Sequence, residues 1–294
     1  MKKTVIIPLI LLAAACQQME TEQPLAPTKE NASICNLTIN ASKGVPETKA
    51  LDLINDGATL NAYWKSGETV KVYKAGTLMG SLSVTPDEGD KPTTATLGGI
   101  ISGLAENDEL TLLLPREDWD YTGQNGKLTG ENSIEQKFAY ATAEVNVTEV
   151  NDNSVSTTSA HFTNAESIYR FGFKNGENYL APKSFTVTSA GNKLVQSMSW
   201  NGSGWEPAYG GLTVTPASAP EDHFYYVSIR NDQTAADTYN FVITGADDAL
   251  YFATKAIPAS VLDAPKFISA KSISATMPSF APASGEINNT NDVL

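Results

Sequence analysis

The sequence predicts an all-β protein made of two tandem β-sandwich domains. Apolar and polar residues alternate with period two in one short segment after another, as the two faces of a half-buried strand require. Clusters of Gly, Pro, Asn and Asp punctuate those segments at short, regular spacing. The length of 294 residues leaves room for two ordinary domains at roughly 100 to 200 residues each.

The start reads as an export signal over residues 1–15. Lys2 and Lys3 precede an apolar run from Val5 to Leu12, and Ala13, Ala14 and Ala15 lead to Cys16. The run is too short to span a bilayer, which takes about 20 apolar residues. It resembles a bacterial lipoprotein signal, in which the Cys after the small residues becomes the lipid-bearing first residue. Ala13 stands where such signals usually have Leu. The plainer alternative is ordinary cleavage after Ala15, leaving Cys16 as a thiol. Residues 16–33, rich in Gln, Pro and Glu, have little to bury and read as a flexible tether.

The folded part then opens with Ile34–Ala41, where Cys35, Leu37, Ile39 and Ala41 share an apolar face and Asn36, Thr38 and Asn40 the opposite one. With Cys16 lipidated, Cys35 is the one thiol left and reads as a small core residue. The Gly- and Pro-containing stretch Ser42–Lys49 reads as a loop carrying two basic residues, Lys43 and Lys49. Exposed loop tips of this kind are where proteolysis concentrates. A cut there would free the strand and leave an apolar slot.

Further strands are expected at residues 58–63, 68–74, 77–84, 93–97, 109–114, 138–147 and 154–162. A boundary near Asn164–Glu166 divides residues 34–164 from 165–277. The second series runs 167–173, 183–189, 192–200, 212–216, 223–229, 238–244, 250–254 and 267–277, with a helical or turn segment at 258–263. Three aromatic-rich stripes look core-facing: Tyr169, Phe171 and Phe173; Tyr225, Val227 and Ile229; Tyr239, Phe241 and Ile243. Residues 278–294 form a Pro-, Ser- and Asn-rich tail without clean alternation.

Twenty basic against 33 acidic residues give a net charge of −13. Removing Lys2 and Lys3 with the signal makes it −15. Such a field repels nucleic acid and anionic lipid surfaces. The acidic residues are spread through turns, and none has an EF-hand ligand pattern. The two histidines, His161 and His223, each lie beside a Phe in an expected strand. Nucleophile-elbow, phosphate-loop, dinucleotide-loop and zinc-spacing motifs are all missing. An enzyme, a cofactor and a metal are therefore not expected. Loop aromatics are the other source of function: Trp119 and Tyr121 lie in residues 116–130, Trp205 and Tyr209 in 202–211. They either cover the ends of the fold or stack on sugar rings, the second reading giving a monomeric glycan-binding surface lipoprotein.

Thr48-Lys49-Ala50, Leu60–Trp64, Gly67-Glu68 and Val70–Tyr73 resemble the fimbrillins, subunits of type V pili, in which a basic residue precedes a Trp-x-x-Gly-acid-x-hydrophobic strand pair. Ser167–Phe173, His223–Ile229, Thr238–Thr244 and Ala264–Phe267 are similar to that family's second domain. The resemblance implies two transthyretin-like sandwiches and export as an outer-membrane lipoprotein anchored through Cys16. It also implies cleavage after Lys49, or alternatively Lys43, by a trypsin-like protease. The strand holding Cys35, Leu37, Ile39 and Ala41 then leaves, and a strand of another pilin subunit fills its slot. In polymerising members a C-terminal segment supplies that strand, whereas Phe280–Leu294 is polar here. Stalk, tip and anchor roles, and adhesion to a host or bacterial surface ligand, stay open.

Overall fold

The computed structural model describes residues 34–43, 52–54, 59–270 and 272–278. The expected signal with Cys16, the tether, Lys49 and the tail from Ser279 lie outside the described residues.

In chain order the first half holds β1 (Ile34–Lys43), β2 (Asp52–Ile54), β3 (Thr59–Asn61), β4 (Thr69–Lys74), β5 (Thr77–Pro86), β6 (Thr94–Ser102) and β7 (Glu109–Leu114). It continues with β8 (Asp118–Asp120), one π-helical turn (Ile134–Phe138), β9 (Ala141–Asn151), β10 (Ser154–Thr157) and β11 (Ala160–Asn164). The hydrogen-bonded order β1-β11-β9-β7-β4-β5-β6 returns to β1, with β10 beside both β1 and β9. The first half is therefore a closed seven-strand barrel where the sequence predicted a sandwich of two open sheets.

Closure is made at β1. β1 pairs with β6 along the whole of Thr94–Ser102 on one side and with β11 on the other, while β6 also pairs with β5 over Ala95–Gly98. At Gly99 a Cβ would lie 2.8 Å from the Ser81 carbonyl oxygen and 2.9 Å from Leu82 Cδ2, so the strands pass too closely there for any side chain. A closed ring leaves no edge strand. Its interior is a run of branched aliphatics, among them Leu37, Val70, Val72, Leu82, Leu97, Leu110 and Leu112, all fully buried.

The second half holds β12 (Ser167–Phe171), β13 (Phe173–Asn175), β14 (Asn178–Tyr179), β15 (Ser184–Ser189), β16 (Val195–Trp200), β17 (Trp205–Tyr209) and β18 (Leu212–Val214). After these come β19 (Tyr225–Ile229), β20 (Asp237–Thr244), β21 (Leu250–Ile257), the short helix α1 (Ala259–Leu262), β22 (Phe267–Ser269) and β23 (Ile273–Ser274). Its sheets run β18-β15-β20-β21, β19-β12-β22, β14-β13-β23 and β17-β16-β8. The three stripes read from the sequence all face its core, none of their nine residues more than 1% exposed. Phe171 and Phe173 meet Phe241 edge to face at 5.1 and 5.4 Å, the arrangement aromatic rings prefer.

Core membership changes between Phe162 and Tyr169, apart from a small shared cluster in which Leu60, Leu128, Ile134, Phe138 and Ala139 pack with Ile168 and Tyr226, and from a crossing at β8. Trp119, Tyr121 and Tyr140 belong to the second core, because β8 pairs with β16, Trp119 opposite Met198. Other departures are local. The strand expected over 154–162 is broken at residues 158–159 into β10 and β11. His223 lies in a turn at φ +61°, outside the strand in which it was expected.

Candidate functional site

The first strand is the place where sequence pattern, packing and topology coincide. Cys35, Leu37, Ile39 and Ala41 are 2%, 0%, 1% and 3% exposed, while Asn36, Thr38 and Asn40 face out. On one side β1 runs antiparallel to β6 through nine successive pairs, from Ile34 opposite Ser102 to Ser42 opposite Thr94. On the other it runs parallel, first to β10 (Asn36 opposite Ser154) and then to β11 (Ala41 opposite Ala160). Both backbone edges of β1 are thus occupied. Its withdrawal would leave two unpaired ladders facing each other across an apolar slot. Leu37 and Ile39 alone account for about 1.5–3 kcal/mol each of buried apolar surface.

Further contacts fix the register. The Cys35 thiol donates to the Asn151 carbonyl at 3.7 Å, and the Asn36 amide donates to the Asn153 carbonyl at 3.0 Å. Ser42 Oγ and His161 Nδ1 lie 2.7 Å apart.

Lys43 corrects the sequence reading. It was expected in an exposed loop as a processing residue; instead it ends β1, in the next inward position after Ala41, with its side chain 1% exposed. Nζ donates to the Tyr63 carbonyl at 2.8 Å and to Glu68 Oε2 at 3.2 Å, and stands 3.9 Å from the centre of the Trp64 ring. A buried ammonium is tolerable only with such partners. Glu68 Oε2 also accepts the Lys65 amide at 3.0 Å, which pins the carboxylate. Trp64, itself 2% exposed, meets Phe162 edge-on at 5.4 Å. Sealed in this way, Lys43 offers a protease nothing to grip in the folded chain. The missed signal was the period: Lys43 continues the series 35, 37, 39, 41.

The aromatics considered for ligand contact lie elsewhere, in a row of packed rings. Trp119 is 1% exposed, its ring centre 3.8 Å from that of the half-buried Trp205 and 5.2 Å from that of Tyr140. Its Nε1 donates to the Arg116 carbonyl at 2.9 Å. The row continues through Trp200, 5.3 Å from Trp205, to Tyr73 on β4 at 5.8 Å. These rings therefore join the barrel to the second core, and Trp119 has no face left for a sugar. In Asp118-Trp119-Asp120 the alternation of β8 sends the Trp inward alone. At the foot of the row the buried Glu166 accepts from Tyr121 Oη at 3.1 Å and from the Tyr140 amide at 2.9 Å. Burial and the neighbouring Glu166 carboxylate push the Tyr121 phenol well above its ordinary value.

Among the described residues no group of three or more His, Cys, Asp or Glu is placed to hold a metal ion, and no helix is long and apolar enough to cross a membrane.

No protein-family model matches the chain, and no curated protein sequence matches it. Solved structures do. One, from Parabacteroides distasonis and provisionally described as a cell adhesion protein, is similar with a TM-score of 0.41 at 9% identity, over 81% of this chain and 90% of that one. The tip fimbrial protein Mfa3 from Porphyromonas gingivalis is similar with a TM-score of 0.36 at 8% identity, over 75% and 81%. A fimbrial assembly protein from Parabacteroides distasonis gives 0.36 at 11% identity, over 83% and 98%.

Proposed function

We propose that the chain is a structural or adhesive subunit of a cell-surface filament, joined to its neighbour by exchange of β1 for a strand of that neighbour. The observation that carries this reading is the seating of β1. The strand fills the first core and closes the barrel, yet its covalent link onward runs through residues 44–51 alone. One cut in that stretch would leave ten residues held by hydrogen bonds and burial, and an incoming strand restores both. Lys49 lies in the stretch and is the processing residue in this scheme.

In the same scheme lipid on Cys16 holds the precursor at the outer membrane until the cut is made. The two halves then serve as tandem modules of transthyretin-like type, the first closed into a barrel by β1. The test is mass spectrometry of filaments sheared from the cell surface. The expected result is this chain beginning at Ala50, together with at least one other subunit. Recovery solely as a membrane-bound monomer that keeps residues 34–43 would overturn the reading.

A further inference from the structure

We infer that Glu68 and Trp64 select the replacement strand by its charge, so that the strand entering the β1 slot carries a Lys or Arg at the place of Lys43. The inference rests on the exchange proposed above and identifies the partner that the exchange requires.

Inward positions along β1 run Cys35, Leu37, Ile39, Ala41 and Lys43. The first four ask only for apolar groups. The fifth meets a carboxylate 3.2 Å from the ammonium, an aromatic face 3.9 Å away and the Tyr63 carbonyl at 2.8 Å. All three are acceptors of positive charge. When β1 leaves they stay, because Trp64 and Glu68 lie beside β4 and belong to the barrel, and the Lys65 amide holds Glu68 in place.

A strand with a neutral residue at this position covers the carboxylate without a counter-ion. One with an acidic residue sets two like charges together under Trp64. Removing one partner of a buried pair costs far more than the pair itself contributes. Glu68 keeps 15% of its side-chain surface, so water softens that cost without cancelling it.

The rule also bears on which chain donates. Residues 272–294 hold neither Lys nor Arg, so that stretch of a second copy does not meet it. The occupant is therefore a strand with four alternating apolar residues followed two places later by a Lys or Arg, and residues 272–294 do not supply it.

The test uses the full chain cut after Lys49 and challenged with fluorescent peptides, with seating followed by anisotropy. The peptides are residues 34–43, the same with Lys43→Arg, Lys43→Met and Lys43→Glu, and residues 279–294. The native and Arg peptides are expected to seat, the Met peptide about tenfold more weakly and the Glu peptide about a hundredfold or more, and 279–294 not at all. In a Glu68→Gln barrel the native and Met peptides should converge. If native, Met and Glu peptides seat equally, charge selection is wrong while exchange stands. Equal seating of 279–294, which has no cation, likewise overturns charge selection. If the cut occurs and no peptide seats, exchange itself fails and the inference with it.

Discussion

Gly76, at the tip between β4 and β5, and Gly202, at the tip between β16 and β17, meet backbone to backbone with φ of +84° and +98°. A Cβ on either would overlap the carbonyl group of the other. The barrel and the second core touch here through bare peptide, beside the ring contact of Tyr73 with Trp200.

Gly76→Ala is therefore expected to destabilise more than Gly67→Ala, whose φ of +87° is similar but whose surroundings are open. The left-handed conformation alone costs about 1–2 kcal/mol. The overlap adds about 1–3 kcal/mol at Gly76. Urea unfolding of the two variants measures the difference, and equal losses would show that the contact is not retained in solution.

Leu37→Ala should cost about 2–5 kcal/mol, because the side chain is fully buried in the barrel core. Thr38→Ala, one place on and facing out, should stay within about 0.5 kcal/mol of the parent. Comparable losses at both positions would contradict the seating of β1.

Trypsin under native conditions should cut after Lys49 before it cuts after Lys43. Lys43 is sealed by Trp64, Glu68 and Tyr63, so a product beginning at Gly44 is expected only once denaturant opens the barrel. N-terminal sequencing of the first products decides it.

Trp119→Ala should lose about 3–5 kcal/mol of stability and alter no glycan binding, since its ring is buried against Trp205 and Tyr140. A glycan array showing sugar binding abolished in a still-folded Trp119→Ala protein would revive the aromatic binding site.

Asp237 gives a pH dependence. Burial pushes its carboxyl up, but the Ser189 hydroxyl, the Asn231 amide and the Thr238 and Gly191 backbone amides outweigh this and hold it below its ordinary value of 3.8. A carboxyl depressed in the folded state adds stability that is complete above its unfolded value and is lost as pH falls through the folded one. Stability of the parent should therefore drop more steeply than that of Asp237→Asn between about pH 5 and pH 2. Parallel curves would contradict the assignment.

Period-two alternation made the inward faces of β1, β12, β19 and β20 legible, because each buries its apolar series along one face. It did not reveal barrel closure, which depends on β1 pairing with β6 on one side and with β10 and β11 on the other, partners remote in sequence. Lys43 was misread because a Lys past the end of an apolar series reads as solvent-facing. Its inward place is decided by Trp64 and Glu68, remote in sequence. β8 was missed since three residues, Asp118-Trp119-Asp120, are too few to show a period. His223 was read as strand, yet its backbone turns to φ +61° just before β19 begins.

β1 has one neighbour running against it and another running with it. A ribbon laid in backwards would meet the wrong hydrogen-bonding pattern on both flanks, so the groove accepts its guest in a single sense. Subunits linked through such grooves would all point the same way. The resulting fibre would have two unlike tips.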